Sequence, residues 1–261
     1  MSAAQVRVSV LGPMELTVDG RPVAIGAPQT RTVLALLALG SGSVVPIDRI
    51  IEGVWGERSP RSAVLKVQGH VSALRKALHG AGAAAAAAVL VTRPPGYQLG
   101  GEGYCCDMDE FTGAARRASA LAAAGDAEAS CELLDQALRH WRGPAFADVP
   151  GDEVRLHAAR LEQLRSIALE DKAAHDLRRG RFWAVLEDLG PELDSNPLGE
   201  RARELVIHAY LRLGQRHAAL ACYEAGRTLL QDELGISPGQ SLQRLAHLIR
   251  HGAAPGVEAG V

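Results

Sequence analysis

The sequence predicts a mainly α fold, in which residues 1–104 form a small α+β domain and residues 105–250 form an all-α domain. Two observations predict this division. Apolar residues alternate with a period of two over the first 25 residues, whereas they recur with helical spacing from Pro28 onward. Beyond Asp107 the helical pattern is broken only by short turns. A chain of 261 residues is long enough for two domains of ordinary size.

The composition is that of a globular protein without a membrane segment. Apolar residues make up 47% and charged residues 22% of the chain. The longest apolar stretches, Val33–Leu39 and the Ala-rich residues 83–91, fall far short of the roughly 18 residues that span a bilayer. The N-terminus lacks the basic and apolar regions of a secretory signal. We therefore expect a cytoplasmic protein with no membrane contact.

Motifs for catalysis, metal binding and cofactor binding do not occur in the sequence. The four cysteines at positions 105, 106, 131 and 222 show no CxxC spacing, so we expect free thiols in a reducing compartment. The nine histidines form no HExxH motif, and neither GxSxG nor GxxxxGK[ST] is present. We expect no catalytic residue, no metal and no cofactor, and hence no enzyme.

Three short strands open the chain. Residues 5–11 alternate between apolar and polar side chains, and the Gly12-Pro13 pair ends this first strand. Residues 15–25 predict a second and a third strand around an Asp19-Gly20 turn, because Asp-Gly is a preferred hairpin dipeptide.

Three helices follow the strands. The first begins at Pro28, ends at Gly40 and is apolar on most sides, which predicts a central, buried helix. A very short strand is predicted at residues 44–45, and a second helix over residues 46–55. Ser59 and Pro60 are predicted to cap a third helix that runs to about residue 79.

A hairpin closes the predicted α+β domain. Residues 80–88 form a Gly/Ala-rich loop, which leads to two strands over residues 89–92 and 96–99. The Arg93-Pro94-Pro95 segment between them predicts a stiff tip. Three helices followed by such a hairpin are typical of a winged helix-turn-helix.

The second domain is predicted to be a stack of helices like that of tetratricopeptide repeats. Gly180 and Gly214 each separate two helices and lie 34 residues apart, which is the period of these repeats. The tail over residues 251–261 is predicted to be frayed. The predicted helices span residues 108–124, 127–141, 153–179, 182–195, 199–213, 216–232 and 238–250.

The third helix carries the features that indicate DNA binding. At about 100° per residue, Val64, Val67, Val71, Leu74 and Leu78 form one apolar stripe that should face the core. The opposite face is small, polar and mildly basic, which suits a helix that approaches base edges while its cations reach phosphates. This face carries Ser62, Leu65, Lys66, Gly69, Ser72, Ala73 and Lys76, with His70 and Arg75 on its flanks.

Charge distribution supports DNA binding but leaves an alternative open. Residues 1–103 have a net charge of +4, and residues 104–261 have a net charge of −6. An amphipathic helix with three cations is also ordinary in proteins that bind no nucleic acid. The alternative is therefore a tetratricopeptide-like protein-interaction module, and a repressor that uses the same DNA contacts is a third hypothesis.

Nine motifs, taken in order along residues 5–250, resemble a known family, the Streptomyces antibiotic regulatory proteins (SARP). In this family an OmpR-type winged helix, like the effector domain of two-component regulators, is fused to a bacterial transcriptional activator domain (BTAD). Each motif alone is weak, but their common order is specific. They lie at Leu11–Glu15, Pro28–Leu37, Val45–Gly56, Val71–Leu78, Thr92–Tyr97, His140–Asp148, Leu161–Arg165, Asn196–Arg201 and Asp232–Gly239.

The resemblance implies a transcriptional activator of antibiotic biosynthetic genes, associated with the nucleoid. Its implied partners are double-stranded DNA with direct repeats near the −35 element and the sigma and alpha subunits of the RNA polymerase holoenzyme. Two protomers would sit side by side on the DNA. The implied DNA contacts are Lys66, Gln68, His70, Ser72, Arg75 and Lys76 in the third helix, Trp55 and Arg31 near the phosphates and Arg93 in the wing, and the implied polymerase contacts are Glu57 and Arg58.

Two residues depart from the family pattern. Ala73 stands where the family often has Arg or Lys, and Gly69 lies in the middle of the third helix, at a cost of about 1 kcal/mol relative to Ala. The predicted DNA-facing surface is therefore less basic than is usual. Two of the implied contacts also have a purely structural interpretation: Trp55 as an anchor between helices and His70 as a packing residue.

Overall fold

Residues 5–81 and 88–251, which the computed structural model describes, form two small sheets followed by a series of helices. The strands are β1 (Val6–Ser9), β2 (Glu15–Val18), β3 (Arg21–Pro22), β4 (Val44–Pro46), β5 (Leu90–Arg93), β6 (Gly96–Leu99) and β7 (Tyr104–Cys106). The helices are α1 (Pro28–Leu39), α2 (Ile47–Trp55), α3 (Ala63–Gly80), α4 (Asp107–Ala123), α5 (Ala127–Leu138), α6 (Asp152–Arg178), α7 (Phe182–Ser195), α8 (Glu200–Arg212), α9 (Arg216–Leu234) and α10 (Gln240–His251).

The predicted fold class is confirmed: a winged helix-turn-helix comes first, and a tetratricopeptide-like helical region follows. Most of the predicted loop over residues 80–88 and of the predicted tail over residues 251–261 lies outside the described residues. None of the described helices combines the length and the apolar character that a bilayer crossing requires.

The chain divides into two compact units, which differ from the two predicted domains. Among the described residues, the first unit contains those up to 117 together with residues 136–164, and the second contains residues 118–135 together with residues 165–251. The domain boundary between residues 104 and 105 was predicted from the change of sequence pattern, and it lies inside the first unit. It therefore stays a prediction.

The first sheet has the strand order β3-β2-β1-β7. Strands β1 and β2 pair antiparallel, and the predicted Asp19-Gly20 turn joins β2 to β3 with both residues at positive φ (49° and 76°). Strand β7 pairs parallel with β1, so that Val6 faces Tyr104 and Val8 faces Cys106. The sequence did not predict β7, because three residues are too short for a period of two to show.

The winged helix is built around α1. The side chains of residues 32–38 in α1 are buried, as its apolar sequence predicts. Strand β4 leads directly into α2, and it pairs with β6 of the predicted hairpin in the second sheet, of order β4-β6-β5. Helix α3 packs on α1 and α2 through the buried Val67, Val71, Leu74 and Leu78.

The start of α3 corrects two predictions. Ser59 and Pro60 do not cap it: Pro60 accepts a hydrogen bond from the N–H of Ala63 (2.9 Å) in a turn, and the helix begins only at Ala63. Ser62 precedes it, and its side chain forms no capping hydrogen bond. Ala63 occupies the buried position at this end of the stripe, and Val64 is 45% exposed instead of buried.

A buried carboxylate joins the first sheet to the helices that follow it in the first unit. Asp107, only 1% exposed, accepts hydrogen bonds from the N–H groups of Val10 (2.8 Å) and Leu11 (3.2 Å). Burial raises the pKa of this carboxyl, although the two N–H donors oppose the rise. Leu11 and Val10 in turn accept hydrogen bonds from the N–H groups of Arg142 (2.7 Å) and Phe146 (2.8 Å). Residues beyond 104 are therefore part of the same packed unit as the winged helix.

The second unit repeats one helix–glycine–helix turn. Gly180 and Gly214 both adopt positive φ (77° and 73°), which glycine tolerates and which ends the preceding helix. Their N–H groups donate to Leu177 and Leu211, each at 3.1 Å, and these two acceptors also lie 34 residues apart. The predicted repeat is therefore visible as a repeated hydrogen-bond pattern. The core around α8, α9 and α10 is formed by Ile207, Ala219, Tyr223, Leu242, Leu245, Ala246 and Ile249.

Gly96→Ala is expected to destabilise the second sheet. A Cβ at this position would overlap the carbonyl oxygen of Val45 and lie 2.8 Å from Cα of Pro46, so the β4–β6 pairing would have to open. We expect a loss of about 3 kcal/mol in the free energy of unfolding. Gly69→Ala is the control, since its Cβ would meet no atom within 4 Å and should stabilise α3 by about 1 kcal/mol. Urea denaturation followed by circular dichroism measures both changes. Equal stabilities of the two variants would contradict the close β4–β6 contact at Gly96.

A fragment of residues 1–104 is expected to be less stable than a fragment of residues 1–164. The shorter fragment ends within β7 and lacks Asp107, so the N–H groups of Val10 and Leu11 lose their buried acceptor. It also lacks Phe111 and Phe146, which are 0% and 3% exposed. Urea midpoints of the two fragments test this expectation, and equal midpoints would show that the winged helix needs no later residues.

Candidate nucleic-acid interface

The outward face of α3 is cationic and carries no acid. The 18 residues of α3 include neither Asp nor Glu, and its lysines Lys66 and Lys76 are exposed as predicted. Within residues 5–81 and 88–251, neither lysine lies within ion-pair distance of a carboxylate. Gln68, Gly69, Ser72 and Ala73 are also exposed, and the Cβ position of Gly69 meets only open space. This surface therefore presents uncompensated positive charge around small and amide-bearing residues.

His70 and Trp55 link α3 to the two helices before it. The half-buried His70 ring lies with its Nδ1 atom 3.0 Å from Oγ1 of Thr30 in α1, and its centroid is 6.4 Å from that of Trp55 at the end of α2. Burial, and to a smaller extent the charge of Lys66, lowers the pKa of His70. The geometry accounts for both residues as packing residues, and their contact with DNA stays a prediction.

Arg75 connects α3 to the wing. Its Nε donates to the carbonyl oxygen of Leu90 (2.9 Å), and an η nitrogen donates to Oγ1 of Thr92 (2.9 Å), both in β5. The guanidinium carbon also lies 5.9 Å from the centre of the Tyr97 ring in β6. Two of its donors are thus used within the fold, so the geometry makes Arg75 a residue that fixes the wing relative to α3.

Arg93 stands at the end of the wing. It is exposed, as are Pro94 and Pro95, which form the tip as predicted. In the part of the chain that the structure describes, its guanidinium has no acceptor. Arg93 and the two lysines of α3 are therefore the predicted contact residues whose charges stay available for a ligand.

Arg31 is engaged by a neighbouring acid. Its guanidinium forms an ion pair with Asp148 and donates a hydrogen bond to the carbonyl oxygen of Met14 (3.3 Å). Asp148 also accepts the N–H of Met14 (2.7 Å), so the two side chains and this loop form one cluster in the first unit. This ion pair neutralises the charge of Arg31. The contact between Arg31 and a phosphate stays a prediction.

The turn between α2 and α3 exposes both signs of charge. Glu57 and Arg58 lie in the 3-10 turn Gly56–Arg58 and are exposed, as a contact surface requires. Arg61 is also exposed just before α3, and sequence reasoning did not select it. A cation immediately before a recognition helix is the signal that would have found it.

Among the described residues, no group of three or more His, Cys, Asp or Glu is placed to hold a metal ion.

Two family models match this sequence. Residues 106–250 match the bacterial transcriptional activator domain, and residues 20–99 match the C-terminal domain of transcriptional regulatory proteins. The fold and its cationic helix thus define a bacterial regulator of the winged-helix class. With its two domains in this order, the chain belongs to the SARP family of transcriptional regulators.

Named relatives agree with this membership. EmbR of Mycobacterium tuberculosis is 35% identical over 237 residues, AfsR of Streptomyces coelicolor is 36% identical over 246, and RedD of the same organism is 33% identical over 241. These matches cover 90%, 94% and 92% of this chain, but 61%, 24% and 69% of the relatives. A structure of M. tuberculosis EmbR in complex with a low-affinity phosphopeptide superposes with a TM-score of 0.84 at 34% identity, covering 95% of this chain and 66% of the other.

His70→Gln is expected to reduce the loss of stability at acidic pH. Because the pKa of His70 is lower in the folded protein, its neutral form stabilises the fold above about pH 6.5, and this stabilisation is lost as the pH falls through the folded-state pKa. A glutamine keeps a polar partner for Thr30 but does not titrate in this range. Urea denaturation at about pH 7.5 and about pH 5 should show a smaller difference for the variant.

Other histidines contribute to the same acid loss, and they do so equally in both proteins. Burial lowers the pKa values of His157, His175 and His208. An unchanged difference between the two pH values in the variant would show that His70 titrates alike in the folded and unfolded chain.

Proposed function

We propose that this protein is a sequence-specific activator of transcription that binds double-stranded DNA through α3 and the wing. Helix α3 enters the major groove, and Arg93 reaches the adjacent backbone or minor groove. The observation that carries the proposal is the pair of uncompensated lysines, Lys66 and Lys76, on a helix face without a single carboxylate. Such a face is unfavourable opposite most proteins but favourable opposite a polyanion.

The contacts divide into two kinds. Lys66, Lys76 and Arg93 bind phosphates, because each has a free charge on the exposed surface. Gln68 and Ser72 lie between the lysines and read base edges, for which an amide and a hydroxyl have suitable donors and acceptors.

Four further residues that were predicted to contact DNA help binding indirectly, because they hold α3 and the wing in place. Arg75 holds the wing, and His70 packs against Thr30. Trp55 packs beside His70 at the end of α2, and Arg31 pairs with Asp148.

The proposed target sites and partners are those that the resemblance to the family implies. Direct repeats near the −35 element of antibiotic biosynthetic promoters would hold two protomers side by side, in the cytoplasm at the nucleoid. The polymerase holoenzyme, through its sigma and alpha subunits, would meet the exposed turn at Glu57 and Arg58. The names of RedD, a transcriptional regulator, and AfsR, a regulatory protein, are in line with this role.

A salt titration of DNA affinity tests the interface. Lys66→Ala and Lys76→Ala should each reduce the slope of log Kd against log salt by about 1, because one phosphate contact is lost. Arg75→Ala should weaken binding without changing the slope, since its donors hold the wing. Arg244→Ala, an exposed arginine in α10, is the control and should leave both quantities unchanged. Duplex binding by the wild type that is insensitive to salt would exclude the phosphate contacts, and the absence of duplex binding at low salt would favour a protein-interaction module.

A transcription assay tests activation separately from DNA binding. Glu57→Ala should lower the yield of run-off transcript at equal promoter occupancy, because the turn meets polymerase and not DNA. Footprinting fixes the occupancy for both proteins. A wild-type protein that lowers transcription from the same promoter would instead identify a repressor.

A further inference from the structure

Two large apolar side chains stand exposed side by side in the first turn of α3. Val64 is 45% exposed and Leu65 is 69% exposed. Single exposed apolar residues are common and need no explanation. An adjacent pair at the start of a helix whose remaining outward face is small or cationic is a different situation. Leu65 projects from the surface that the proposed function places against DNA, and Val64 lies at the edge of that surface, about 100° around the helix.

The surface next to this pair is recessed. Leu65, Gly69 and Ser72 follow each other at helical spacing and share one side of α3. Gly69 has no side chain, and its Cβ position has no neighbour within 4 Å. The helix backbone can therefore come close to a flat partner in its middle, while Leu65 projects into that partner at the N-terminal end.

Charge decides which partner fits the apolar pair. Arg61 precedes it, Lys66 follows it, and both are exposed. The nearest preceding carboxylate in the chain is Glu57, which belongs to the turn before α3. An apolar pair framed by cations suits a polyanion that displays apolar groups. In the major groove of DNA, the C5-methyl group of thymine is such a group.

We propose that Val64 and Leu65 are specificity-determining residues that contact the C5-methyl groups of thymines in the major groove. The inference rests on the proposed function, which places α3 in that groove. Residues at the N-terminal end of a recognition helix commonly contact base edges, and both residues lie in the first turn of α3. The contact makes the protein prefer thymine at particular positions of its site. The lysines add no such preference, because they bind phosphates.

Replacement of single thymines by deoxyuridine tests the contact, because it removes the methyl group and leaves every hydrogen-bonding group in place. The probe is a duplex selected from a random library by the full wild-type chain. At one or more thymines, deoxyuridine should raise the Kd of the wild type about fourfold, the equivalent of one buried methyl group. In the Leu65→Ala or Val64→Ala variant, the same replacement should change Kd by less than about 1.5-fold.

Leu156→Ala is the matched control, since Leu156 is a similarly exposed leucine (54%) in α6. It should keep the full sensitivity to deoxyuridine. Alanine at position 65 keeps α3 intact, because the leucine is exposed and alanine favours helix.

Two results would overturn the inference. If no thymine in the selected site is sensitive to deoxyuridine, or if the double variant Val64→Ala/Leu65→Ala retains that sensitivity, the apolar pair does not read thymine. In both cases salt-dependent binding by the wild type would persist, so the proposed function would stand. A wild type that binds no duplex at low salt would overturn both.

Discussion

The buried carboxylate of Asp107 is the contact on which the first unit depends. It lies where β7 becomes α4 and accepts the N–H groups of Val10 and Leu11, 97 and 96 residues earlier in the chain. Buried N–H groups need acceptors, and β1 ends at Ser9, before these two residues. A residue within the match to the activator-domain model therefore binds the N–H groups that follow β1. The first packed unit accordingly extends beyond residue 106, where the match to the activator-domain model begins.

The sequence predicted the elements that depend on local pattern and missed those that depend on distant partners. Helices α1 to α10 follow from apolar periodicity and glycine positions, because these signals lie within each helix. Strand β7 is held by β1, about a hundred residues away, and has no pattern of its own. The start of α3 depends on the turn at Pro60, which looks like a helix start in sequence.

The candidate site shows the same division. The exposed lysines of α3 could be predicted, since helical spacing alone separates them from the core stripe. The engagement of Arg31 by Asp148 could not, because the two residues lie 117 positions apart. Arg75 shows that a cation on the correct flank of the correct helix can serve the fold when a carbonyl oxygen comes within reach. Charge in a sequence therefore identifies candidates, and the hydrogen-bond partners decide which of them stay free.

The bonds from Arg75 to β5 also affect the thermodynamics of binding. They tie the wing to the recognition helix before any ligand arrives, so the two elements that flank a groove are already ordered with respect to each other. A loose hairpin would lose conformational entropy on association, and that loss would offset part of the favourable contact energy. A preorganised pair avoids this loss. A face with only two lysines then needs fewer ionic contacts to reach a given affinity, and its complexes should depend less steeply on salt than those of a more basic helix.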